Sequence, residues 1–311
     1  MDAELESIGA KMDALGMWPT LVHHTWAVRP AKTVLPYFCT VLAGESALVT
    51  YRFLMLEGWQ TLHDYVHTRA DRWYGFYSTP MELPHFEMVV TRADGIRLFR
   101  HDPGYVPREL KETERPLVRK ILWESFGLMM RVESDARLFL RYAGEQAMFA
   151  RVEDAAGAWR DAPLVIAQPP PHVEKISLAK ADAAAAKDLP FAREEAIELD
   201  LRILPGVMTR EARPRLCYAF LGIDAATGEK IIFDRLSVNP EEGLKGLWQG
   251  LAERLLKHIL ARGRVPGEVK LVSGRLFRML RPLGLHLPFK LSLHDALPRL
   301  EAALQTAVAT S

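Results

Sequence analysis

Three aspartates, Asp200, Asp224 and Asp234, lie in or beside a stretch where apolar and polar residues alternate. Two or three carboxylates that converge at one end of a sheet supply the oxygen ligands a divalent cation needs. Each aspartate also has a plainer role. Asp224 opens Asp224-Ala225-Ala226-Thr227-Gly228, where an aspartate accepts hydrogen bonds from its own turn and glycine takes the left-handed position. Asp200 falls on the polar side of the alternation, which suits a solvated side chain. Two histidines make a second group. His63 and His67 are four residues apart with Asp64 between them, so a helix would place both rings on one face within reach of one metal. Ten histidines in 311 residues give about 0.3 such pairs by chance, so the spacing alone is weak evidence. No third ligand is identifiable, although His23, His24 and His85 are available, and surface histidines beside an apolar helix face are the simpler reading.

The third group is electrostatic. Residues 254–290 hold nine basic side chains (Arg254, Lys257, Arg262, Arg264, Lys270, Arg275, Arg278, Arg281 and Lys290) against one acid, Glu268. That segment is +8, whereas the whole chain is +1, with 40 Lys and Arg and 39 Asp and Glu. Arg275, Arg278 and Arg281 step by three along one expected helix and share a flank. Such a patch attracts phosphates without reading sequence, and Arg264 and Lys270 would extend it. The plainer alternatives are a solvated helix face, or arginines paired with acids such as Glu241 and Glu242.

These groups need elements to hold them. The length of 311 residues suits two domains. Hydrophobic residues at 49% and charged residues at 25% are ordinary globular values, which exclude a disordered or collagen-like chain. Two cysteines exclude a disulfide scaffold and a zinc ribbon. Cys39 and Cys217, in apolar runs, are expected as buried free thiols, which suits a cytoplasmic location. No apolar run reaches the 18 residues a membrane span needs, and the N-terminus lacks the basic and apolar regions of a signal peptide. Phosphate loops, dinucleotide fingerprints and nucleophile elbows do not occur.

The expected class is α+β. Residues 1–165 form an N-terminal domain, 166–194 a Pro/Ala-rich connector around Pro169-Pro170-Pro171, and 195–311 a C-terminal domain. In the first, periodicity predicts helices over 3–16, 57–73 and 110–126. Hairpins are predicted from 37–43 with 47–56, 85–91 with 95–100, and 137–142 with 146–152. The dense aromatics, among them Trp18, Trp26, Phe53 and Trp59, are expected mostly in the core, and Trp73-Tyr74-Gly75-Phe76-Tyr77 could also line a pocket. In the second, strands are expected near 197–203, 216–224 and 230–236. A helix over 240–262, a strand at 268–272, a helix at 276–283, a strand at 285–289 and a helix at 295–308 follow.

That order, over about residues 196–290, resembles a ribonuclease-H-like fold of the integrase and transposase type. Glu198-Leu199-Asp200-Leu201 lies where such cores carry their first catalytic aspartate, and Leu221 to Gly228 is similar to their second-strand hairpin. Where they carry a second aspartate, this chain has Val272-Ser273-Gly274, and no counterpart of a third carboxylate is found. The resemblance therefore implies a fold rather than an activity. The whole chain also resembles an uncharacterised bacterial family of two-domain proteins. That likeness runs through Phe99-Arg100-His101-Asp102-Pro103-Gly104-Tyr105-Val106-Pro107 and residues 212–300.

The expectation is a non-catalytic binding protein that meets nucleic acid or another protein through the 254–290 segment, without membrane and without cofactor. A divergent metal-dependent nuclease using Asp200 and Asp224 is the alternative, and a divalent metal enters only with it. A structural dimerisation module is the third reading. The ligand and the oligomeric state are left open by the sequence.

Overall fold

The computed structural model describes residues 3–22, 24–44, 49–70, 82–92, 95–135, 137–142, 146–168, 176 and 178–309. Side chains at 67–70, 205, 207 and 305–309 lie outside this description, as do His23 and the 73–77 aromatics. The chain divides into two compact units. The first takes in 3–67, 82–102 and 107–168, and the second 68–70, 103–106 and 176 onward.

The first unit is built on an eight-stranded sheet. Its strands are β1 (Thr25–Arg29), β2 (Tyr37–Ala43), β3 (Val49–Glu57), β4 (His85–Thr91), β5 (Gly95–His101), β6 (Arg108–Glu109), β7 (Ala147–Glu153) and β8 (Trp159–Val165), in the order β6-β5-β4-β3-β2-β1-β7-β8. Every pairing is antiparallel except β1 with β7. The predicted 37–56 and 85–101 hairpins are the β2–β3 and β4–β5 pairs. The 137–142 strand is not formed. That segment is a series of turns, and β7 finds its hairpin partner in β8 through the Asp154-to-Ala158 turn. Helix α1 (Ala3–Ala14) buries Leu5, Ile8 and Met12, and α4 (Arg115–Ser134) buries Val118, Ile121, Leu122, Leu128, Met129 and Val132. The sequence placed that helix at 110–126. Pro116 in its first turn fixes the later start, since proline fits where no amide partner is needed. Both helices share a core with Trp26 and Phe53 on one sheet face. Helix α3 (Gly58–Ala70) covers part of the other face, where Leu62 and Tyr65 pack with Phe38, Leu54 and Leu56. Helix α2 (Trp18–Leu21) is a single turn.

The second unit carries a five-stranded mixed sheet, β11-β10-β9-β12-β13, with β9 (Phe191–Met208) at its centre. β10 (Leu216–Asp224) and β11 (Lys230–Leu236) continue from it antiparallel, whereas β12 (Val265–Leu271) and β13 (Lys290–Leu293) run parallel. α5 (Lys180–Lys187) precedes β9, α6 (Gly243–Gln249) and α7 (Leu251–Arg262) join β11 to β12, α8 (Gly274–Gly284) joins β12 to β13, and α9 (Pro298–Ala309) follows β13. The helix expected over 240–262 is two helices meeting at Gly250, and Gly263 ends the second in the left-handed conformation (φ 66°). The strand expected at 285–289 is turn, and pairing with β12 starts only at Lys290. Ser273, next to Val272 where the resemblance would place an aspartate, caps α8 by accepting from the Leu276 amide at 3.1 Å.

β12 begins earlier than its apolar pattern predicts. Pro266 and Gly267 are inside the strand, because pairing with β9 is irregular there. β12 advances from Pro266 to Glu268 while β9 advances from Ala192 to Ala196. A Cβ on Gly267 would stand 2.0 Å from the Arg193 carbonyl oxygen. Gly267→Ala should therefore lower stability by about 1–3 kcal/mol through overpacking against backbone, read as a fall in the urea midpoint.

Candidate functional site

The register of the second sheet decides what the three aspartates do. Asp200 on β9 pairs with Leu221, and Asp224 on β10 pairs with Ile197. Directly opposed residues share a face and successive residues alternate, so Asp200 and Asp224 project from opposite faces. Asp234 pairs with Phe220, itself opposite Leu201, and so lies on the Asp224 face. Four residues separate Phe220 from Asp224, roughly 13 Å at 3.3 Å per residue. A two-metal centre needs carboxylates that hold ions about 4 Å apart, and these three do not converge.

Each aspartate has other work. Asp224 Oδ1 accepts from the amides of Ala226 (2.9 Å) and Thr227 (2.8 Å), and these bonds hold its carboxyl below the usual range. Asp234 Oδ2 lies 3.0 Å from His258 Nε2 on α7. Asp200 is fully buried, not solvated as the alternation suggested. Its face is covered by α9, where Leu300 and Leu304 pack on Leu221 and Ile223. The neighbouring Glu198, also buried, accepts from the Leu300 amide at 2.8 Å in the first turn of α9. Burial pushes the Asp200 carboxyl up, while Arg202, whose Nε donates at 2.5 Å, and the Leu201 amide pull it down.

The basic segment resolves into paired and unpaired charges. Arg262 and Arg264 both bind Glu195, which the irregular β9–β12 pairing holds beside them. Lys270 and Lys290 flank Glu268 at 4.0 and 3.4 Å, and Lys257 pairs with Glu253 at 2.6 Å. Arg275 lies over the Trp248 ring, 4.1 Å from its centroid, a contact that anchors α8 to α6. Arg278 and Arg281 are exposed and have no acidic partner among the described residues.

In the first unit, His63 Nε2 meets the Ala167 carbonyl at 2.9 Å, and the His67 side chain, the other half of the expected pair, lies outside the described residues. A cluster of three ligand residues assembles elsewhere. His85 and Glu87 on β4 and His101 on β5 are all buried, each offering a ligand atom within 4.8 Å of the others. The β4–β5 register sets His85 opposite His101, and their rings stack with centroids 4.1 Å apart. His101 Nε2 lies 2.7 Å from Glu87 Oε2, and Arg52 Nη1 donates to Glu87 Oε1 at 3.0 Å. Burial raises the Glu87 carboxyl, but His101 and Arg52 outweigh it and hold the group at about 2. Desolvation keeps His85 neutral, its ring pushed well below the ordinary histidine range. The hairpin around residues 93–95 was legible, and any register pairing Thr91 with Gly95 also pairs His85 with His101. Following that register outward would have found the cluster.

Comparison with known families finds a domain described as a domain of unknown function (DUF6930) over residues 183–306, which spans β9 to β13 with most of α5 and α9. No curated protein matches the chain, and neither does any solved structure.

Two predictions follow from burial. Asp200→Ala removes the counter-charge beside the mostly buried Arg202 and should cost about 3–5 kcal/mol. Asp200→Asn keeps an acceptor for the Leu201 amide and should cost less; urea unfolding of both variants measures the difference. The pH dependence has two stages. Below about pH 6.5 the unfolded chain takes a proton that folded His85 refuses, so stability falls as pH drops. Glu87 adds stability that is full above the ordinary carboxylate range and is lost as pH falls from there towards 2. Denaturant midpoints from pH 8 to 3 check both, and the His85 imidazole resonances should not titrate between pH 7.5 and 5.5.

Proposed function

We propose that the protein is a non-catalytic binding protein whose second unit, a ribonuclease-H-like domain, holds nucleic acid electrostatically through the exposed flank of α8. The observation that carries this reading is the sorting of charge within 254–290. Glu195, Glu268 and Glu253 engage five of the nearby cations, while Arg278 and Arg281 stand exposed one helical step apart. Exposed guanidinium groups bind phosphate oxygens bidentately and release counterions without reading bases. The ribonuclease-H-like assignment rests on the strand order, in which the first strand is central, two antiparallel strands extend one side and two parallel crossovers the other. The separation of Asp200 from Asp224 favours binding over two-metal cleavage. The two free thiols, Cys39 buried and Cys217 partly exposed, suit a cytoplasmic place. No described helix is long and apolar enough to cross a membrane.

Fluorescence anisotropy with a labelled 20-nucleotide single strand and the matching duplex tests the reading. Binding should weaken about tenfold or more between 50 and 200 mM salt. Arg278→Ala with Arg281→Ala should reduce the salt slope by about two and weaken both probes alike. Arg275 is left intact because its ring contact holds α8 in place. No binding at 50 mM salt, or unchanged binding by the double variant, would sink the proposal.

A further inference from the structure

We infer that His85, Glu87 and His101 form a binding site for a divalent first-row transition-metal ion of the Zn²⁺ class, which staples β4 to β5 inside the first unit. The inference starts from protons. The Leu83 carbonyl can only accept, so the 2.8 Å contact with His85 Nδ1 requires Nδ1 to donate. His85 Nε2 is then left with its lone pair. That atom is buried without a hydrogen-bond partner among the described residues. His101 Nε2 faces Glu87 Oε2 at 2.7 Å, so one proton joins imidazole to carboxylate there and a cation can take its place.

A buried acceptor without a donor costs free energy, and this one needs a physical reason. A cation supplies one. It accepts the His85 Nε2 lone pair, while Nδ1 of that ring already donates to the Leu83 carbonyl. This is the orientation that outer partners impose on metal-binding imidazoles. Two neutral imidazoles beside a carboxylate select borderline transition ions over Mg²⁺ or Ca²⁺, which prefer all-oxygen sets. Glu87 supplies a carboxylate oxygen and balances the charge. Tetrahedral coordination at 2.0–2.1 Å brings ligand atoms to about 3.3 Å of one another, so the group contracts from its 4.8 Å limit when it binds. The ligand rings are buried to 2% exposure or less, so the role is structural, and entry requires local opening of the strand pair.

The test uses the full chain, stripped with chelator and re-equilibrated with Zn²⁺, then with Co²⁺ as a spectroscopic probe. After removal of excess metal, elemental analysis should find one equivalent retained, and Tm should rise by several degrees. Co²⁺ should give visible absorption bands of a low-symmetry nitrogen and oxygen site. His85→Asn and His101→Asn should each lower retention at least tenfold, while His258→Asn, in the second unit, should leave it unchanged. Imidazole resonances of the wild-type chain give a readout that needs no variant: Zn²⁺ should move the signals of His85 and His101. Stoichiometric retention with those two rings moving supports the site. No retention by the folded wild type, or movement of other histidines only, overturns it, whether or not the substituted chains fold.

Discussion

The middle of strand β9, residues 197–201, is buried on both faces, and the second unit is organised by that fact. Ile197, Leu199 and Leu201 fill one side as the alternation requires. The other side carries Glu198, Asp200 and Arg202 into an interior that α9 closes. Charges in such a place must be paired or bonded to backbone, since each loses several kcal/mol of hydration. Glu198 meets this by binding an amide in the first turn of α9, and Asp200 by binding Arg202 and the Leu201 amide. Asp200, which the sequence marks as a candidate catalytic group, thus balances an internal cation, while its neighbour Glu198 helps seat the last helix.

The same economy of charge shapes the surface. A segment that reads as +8 on its own does not present nine free cations. The excursion of β9 between Ala192 and Ala196 brings Glu195 to Arg262 and Arg264, and Glu268 lies between two lysines. Arg254 on α7 and Arg278 and Arg281 on α8 are left over, and α8 is held in place by the capping hydroxyl of Ser273 and the arginine laid on Trp248. A binding surface of this kind depends on the helix being fixed before the ligand arrives, because side chains on a frayed helix would lose entropy on binding.

The first unit sets a different problem. Its sheet is covered on both faces, by α1 and α4 on one and in part by α3 on the other. Polar residues of β4 that alternate with Phe86, Met88 and Val90 are therefore buried instead of wet. His85 and Glu87 occupy that second face, and Arg52 and His101 on the neighbouring strands complete their surroundings. Ring stacking and hydrogen bonds satisfy some of these groups, and the unpartnered His85 Nε2 gives the cluster its chemical character.

Local physics was legible in the sequence. Period-two alternation marked β9, turn residues marked the β2–β3, β4–β5 and β10–β11 hairpins, and apolar spacing marked α1, α3, α7 and α8. These signals depend on neighbours a few residues away, so one chain suffices to read them. The misplaced elements share one cause. The 137–142 strand, the start of α4 and the 285–289 strand follow from apolar content and nearby turn residues, but a strand needs a partner edge and a helix needs a first turn that fits. Three things depended on distant residues meeting. Register put Asp200 and Asp224 on opposite faces, the closing of α9 turned a polar strand face into interior, and hairpin pairing set His85 against His101. The sequence by itself determined which segments fold locally and where charge is concentrated. Only the tertiary structure decided which of those charges are buried, paired or free, because solvation belongs to the surroundings of a side chain and not to its identity.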